Sequence, residues 1–100
     1  MRQGTTPTHT FTLPFPASEV QAALISYAQD GHVLFQKTLA ECNVGDKQLS
    51  LTLSQEETFQ FSPGRLGLVQ VRILGAGNKA LSSDVITFPV EPSLSKEVLK

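Results

Sequence analysis

The sequence predicts an all-β fold, a sandwich or barrel of about six to seven short antiparallel strands. Three observations point there. Turn signals recur at short intervals, at Pro14 to Pro16, Asp30-Gly31, Val44-Gly45-Asp46, Pro63-Gly64 and Gly75-Ala76-Gly77-Asn78. The runs between them are strand-length and rich in Val, Ile, Leu, Phe and Thr. Several of those runs alternate apolar and polar residues, the period of a half-buried strand. The chain has 100 residues, 40% of them apolar and 17% charged, a composition that supports one modest core. Residues 1–92 are therefore expected to form a single domain, with 93–100 as a C-terminal tail.

The first element is read from THTFTL. His9, Phe11 and Leu13 fall on one face, and Thr8, Thr10 and Thr12 on the other. Threonine is β-branched and suits a pleated, half-exposed surface. Pro14 and Pro16 end the strand.

The next segment, SEVQAALISYAQ, supports two readings. Ser18 with Gln21 resembles a capping box, and Ala22-Ala23-Leu24 favours helix. A helix over residues 19–29 would make the fold α+β. The immediate Asp30-Gly31 pair favours a strand, because it accepts the positive φ angles of a type I′ hairpin turn. Residues 20–29 and 32–39 are expected to form that hairpin.

QLSLTL places Leu49, Leu51 and Leu53 on one face. Ser54, with Glu57 three residues on, can cap a single helical turn before Phe59. Pro63-Gly64 suits the centre of a type II turn. LVQVRIL sets Val69, Val71 and Ile73 on one face, and DVITFPV sets Ile86, Phe88 and Val90 on one face. A second hairpin joins 67–75 to 80–90. The two hairpins are expected to share one sheet, with 8–13 and 48–53 in the facing sheet.

No convergent chemistry emerges from the residues. His9, His32 and Cys42 lack the close paired spacing of a metal site. Cys42 stands between Glu41 and Asn43, which do not lower a thiol pKa. Glu56-Glu57 is an acidic pair, but Glu57 has a capping role available. Gly75-Ala76-Gly77 lacks the helix and the Lys-Ser/Thr pair of a phosphate loop. The expectation is a protein that is not an enzyme and holds no cofactor or metal.

The net charge is −1 with both signs dispersed, so there is no basic stripe for nucleic acid. No apolar stretch has the length of a membrane span, and no signal peptide is recognisable at the start. The lone cysteine fits a reducing compartment. Function therefore falls on surfaces. The candidate interface is Thr8, Thr10 and Thr12, because an uncharged first strand can pair with a neighbouring chain as readily as close its own sheet.

The ordered motifs MRQGTTPT followed by an F-x-L strand, ISYAQDG, LTLSQEETFQF, VQVRIL and ALSSDVITFPV resemble small proteins encoded in prophages of Gram-positive gut bacteria. Those proteins resemble in turn the immunoglobulin-like N-terminal module of phage baseplate upper proteins. The resemblance spans nearly the whole chain and carries no catalytic residues. It implies an immunoglobulin-like antiparallel β-sandwich. The implied role is a virion structural or adaptor protein of the tail or baseplate. Other phage structural proteins and further copies of the chain are the expected partners. The host cytoplasm during assembly and then the virion are the expected locations. Baseplate upper proteins continue into receptor-facing regions that have no counterpart in these 100 residues. A carbohydrate- or cell-surface-binding module is the alternative, though Tyr27 is the only tyrosine and there is no tryptophan.

Overall fold

A computed structural model describes residues 1–100. The strands are β1 (Thr8–Thr12), β2 (Ala22–Gln29), β3 (His32–Thr38), β4 (Asn43–Val44), β5 (Gln48–Thr52), β6 (Gly67–Leu74), β7 (Ala80–Ser82) and β8 (Ile86–Phe88). One helical turn, α1, spans Gln55–Thr58. The first sheet has the order β1-β5-β4. The second runs β3-β2-β6, and β7 and β8 both pair with the far side of β6. All these strand pairs are antiparallel.

Alternation decides what is buried. Leu49, Leu51 and Leu53 from the first sheet meet Ala23, Ile25 and Tyr27 from β2 and Val69, Val71 and Ile73 from β6. On β1 the expected faces hold, with Thr8, Thr10 and Thr12 exposed, His9 and Phe11 half-buried, and Leu13, just past the strand, buried. Burying one such aliphatic side chain contributes roughly 1.5–3 kcal/mol. Cys42 is the only cysteine and is a free thiol, so no disulfide links the sheets.

The turns follow their residue chemistry. Asp30 and Gly31 have φ of 54° and 80°, the pair of positive angles that a type I′ hairpin needs. Gly64 has φ 80°, as the third position of a type II turn requires. At α1, Ser54 Oγ accepts the Glu57 N–H at 3.1 Å, and a Glu57 carboxylate oxygen accepts the Ser54 N–H at 2.8 Å.

The structure bears out the expected strand over the alternative helix, refines the strand count of about six to seven, and corrects the extent of one strand. Residues 22–29 are a strand, and the helix over 19–29 is absent; Ala17–Glu19 makes only a 3-10 turn. Pairing with β6 from Ala22 to Ala28, and with β3 from Leu24 on, overrides the local helix preference of Ala22-Ala23-Leu24. There are eight strands rather than six or seven. Finally, Asp84 to Val90 is not one strand, because regular pairing covers only Ile86–Phe88.

That last change has a geometric cause. β7 pairs with β6 so that Ile73 faces Leu81, whereas β8 pairs so that Val69 faces Ile86, a register one residue out of step. The extra residue is a bulge at 83–85. Ser83 holds its place: its Oγ accepts the Val71 N–H at 3.0 Å, and its N–H reaches Val71 O at 2.8 Å. A one-residue slip swaps the faces of a strand. Leu81, Ile86 and Phe88 can therefore all point inward despite their mixed parity.

Gly67 lies opposite Phe88, and a Cβ there would overlap the Phe88 ring. Gly67→Ala is expected to destabilise the fold by about 1–3 kcal/mol in urea titration, through overpacking. A change within about 0.5 kcal/mol would show that Phe88 does not pack there.

Candidate functional site

Two features stand out above the scaffold. One is an aromatic tie inside the sandwich, and the other is an uncovered edge beside it.

Tyr27 is fully buried at the centre of β2. Its hydroxyl meets His9 Nδ1 from β1 at 2.6 Å, so one hydrogen bond joins the two sheets. Phe35 stacks on Tyr27 with ring centroids 4.9 Å apart, while Phe61 and Phe88 approach edge-on. Burial raises the pKa of the Tyr27 hydroxyl above its ordinary value, and the nearby Cys42 and Glu57 add to the effect. Burial pushes His9 below the ordinary imidazole value, and the terminal ammonium adds to that shift.

A charged cluster closes the opposite flank. Lys37 on β3 pairs with Glu57, and its Nζ lies 3.4 Å from Glu41. Burial opposes the charge on Glu57, but Lys37 and the Ser54 N–H outweigh it and hold the carboxyl below its usual range. Glu57 is thus a cap and an ion-pair partner, while Glu56 is exposed. Cys42 is half-buried, and burial raises its thiol pKa, with Glu41 adding to the shift. Gly75 to Asn78 forms the hairpin loop, with the Gly75 N–H donating to Lys79 O at 2.8 Å, and a strand rather than a helix follows it.

The edge is that of β1. Leu53 N–H donates to Pro7 O and Leu13 N–H to Lys47 O, so the odd-numbered residues of this strand turn their backbone groups towards β5. In an antiparallel ladder the alternate residues point the other way. The backbone N–H and C=O groups of Thr8, Thr10 and Thr12 therefore line the free edge.

Alongside runs a groove of about 420 Å³, between β1 with the Pro14-Phe15 turn and the β6–β8 side of the other sheet. Phe11, Leu13, Phe15, Val71, Leu81 and Ile86 supply most of its apolar surface, and none of its lining residues is charged. A second, shallower depression of about 290 Å³ continues past Thr8 and His9 to Phe88. Leu81 and Ile86 point inward yet stay 40% and 46% exposed, because the first sheet has no strand beyond β1 to cover them. Residues 1–3 do not fill that position; Arg2 instead bridges Glu91 in parallel.

The sequence singled out the three threonines. It did not single out the His9–Tyr27 bond or the groove wall at Leu81 and Ile86. The signal for that wall was present as the parity change between Leu81 and Ile86 across Ser82-Ser83-Asp84.

A β3-β2-β6-β7/β8 sheet facing β1-β5-β4, with a helical turn before β6, is the arrangement of an immunoglobulin-like antiparallel sandwich. No protein-family model matches the chain, and no curated protein matches it. Among solved structures it is similar to the V domain of amphioxus IgVJ-C2. The TM-score is 0.42 at 18% identity, over 91% of this chain and 95% of that one.

The His9 shift has a pH consequence. In the unfolded chain the imidazole titrates near pH 6.5, higher than in the fold. His9 costs no stability above that pH, where both states are neutral. Below it the unfolded state binds the proton more readily, so stability is lost as pH falls through the lower folded value. Glu41, Glu57 and Glu91 have lowered pKa values, so their contribution is lost at more acidic pH. Urea midpoints measured from pH 7.5 to 5 are expected to fall below about pH 6.5. His9→Gln should flatten that part of the profile. Identical profiles for the two proteins would refute the assignment.

Proposed function

We propose that this chain is a non-catalytic protein-binding module that acts through the edge of β1 and the groove beside it. The observation that carries this reading is the uncharged apolar groove lying against a row of unpaired backbone groups. Backbone edges of this kind recognise extended chains, with main-chain hydrogen bonds giving affinity and side-chain pockets giving selectivity. The immunoglobulin-like sandwich is a common carrier of such surfaces.

The finer reading is a phage or prophage virion protein, a structural or adaptor component of the tail or baseplate. Support for it comes from the ordered run of motifs from MRQGTTPT to ALSSDVITFPV. Its partners are other phage structural proteins, met in the host cytoplasm during assembly and then in the virion. A sugar-binding platform has less support, because Tyr27 is fully buried rather than displayed.

The test is capture of tail and baseplate proteins by the purified chain, with a Thr10→Pro variant in parallel. Proline removes an N–H that points away from β5, so the fold should survive while the edge is blocked. The expected result is capture by the parent chain and loss of capture in the variant. No capture by a chain that is monomeric, or capture indifferent to Thr10→Pro, would remove this reading. A glycan array that gave specific hits would favour the sugar-binding alternative instead.

A further inference from the structure

We infer that the β1 edge is a self-pairing surface, and that its occupant is β1 of a second copy of this chain. The inference rests on the protein-binding reading of that edge.

The two sheets have four outer edges, and three of them are protected. β3 carries a bulge at Leu34, where the register with β2 shifts, and an inward-pointing charge at Lys37. β4 has only two residues. The β7–β8 edge is broken by the bulge at Ser83. Bulges, inward charges and short strands are the usual devices against edge pairing. β1 has none of them. It is five residues long, regular and uncharged.

The strand is also complementary to itself. Antiparallel pairing about a two-fold axis at Thr10 sets Thr10 opposite Thr10 of the second copy and Thr8 opposite Thr12. Those are the residues whose backbone groups face the edge, so both groups of all three threonines find partners on each copy. On the outer face every cross-strand pair is Thr–Thr, a favourable combination. On the inner face His9 lies opposite the second copy's Phe11. The paired strand fills the missing fourth position of the first sheet, opposite the half-exposed Leu81 and Ile86. No charged side chain lines the groove, so like charges do not oppose the approach of two identical faces. The result is a closed, isologous dimer in which β1 is no longer an edge.

Sedimentation equilibrium of the parent chain tests this, with Thr10→Lys and Thr10→Pro alongside. Thr10→Lys sets two ammonium groups face to face, and each substitution is expected to weaken dimerisation by at least about tenfold. A second measurement does not depend on affinity. In a Cys42→Ser background, Thr10→Cys is expected to give a disulfide-linked dimer on mild oxidation. Directly opposed residues of such a pair lie about 5.5 Å apart at Cα, within the span of a disulfide. Thr52→Cys, one strand further in, is expected to give none. A chain that stays monomeric at millimolar concentration overturns the inference, as does a dimer that Thr10→Lys leaves unchanged or a cross-link equal at positions 10 and 52. A monomer that still captures a virion protein in a Thr10→Pro-sensitive manner overturns the second-copy occupant alone. A monomer that captures nothing overturns the protein-binding reading as well.

Discussion

The Tyr27 hydroxyl meets His9 Nδ1 at 2.6 Å in the middle of the sandwich, and the arrangement around it depends on that bond. A phenol buried without a partner would cost several times what a satisfied one contributes. The bond therefore fixes how β1 lies over β2. Three phenylalanines then complete the cage: Phe35 from the hairpin partner, Phe61 after α1, and Phe88 from β8. In a chain with one cysteine and no inter-sheet disulfide, this cluster and the leucines of β5 are what join the layers.

Setting β1 in that position leaves the sandwich uneven. Three strands face four strand positions, and the shortfall falls opposite β7 and β8. The bulge at Ser83 brings Leu81 and Ile86 onto the inner face, where β1 does not reach far enough to cover them. Bulges are structural devices that re-aim side chains. Here the device lines a groove with apolar residues instead of turning them to solvent. The groove and the free threonine edge are thus two sides of one feature.

Charge placement follows the same division. Lys37, Glu41 and Glu57 gather on the flank of β3, where the capping box of α1 and the ion pair share the Glu57 carboxylate. The β1 flank carries no charge along its groove. One side of the molecule is therefore guarded against strand pairing and the other is suited to it. The amide of Gln29 shows the same economy at one end of the sandwich. It is buried, accepts the Ser62 N–H at 2.6 Å, and donates to the Ser62 and Arg65 carbonyls, which pins the loop before β6.

Much of this was legible in the sequence, because period-two alternation and turn chemistry are local. The faces of β1, β5 and β6, the positive φ angles at Asp30-Gly31, the Ser54–Glu57 cap and the threonine face are all set by residues within a few positions of one another. The identity of residues 22–29 was not local. Ala22-Ala23-Leu24 prefers helix while the Asp30-Gly31 turn favours a strand, and pairing with β6, joined by β3 from Leu24 on, decides for the strand. The break between β7 and β8, the His9–Tyr27 bond and the groove depend on which strands become neighbours. Each joins residues far apart in the chain, and their hydrogen bonds and burial exist only once the sheets have packed. The sequence by itself determined the faces of β1, β5 and β6, the tight turns and the uncharged threonine edge. Only the tertiary structure decided that this edge has no neighbour, because the number of strands in each sheet is a property of their packing and not of any one segment.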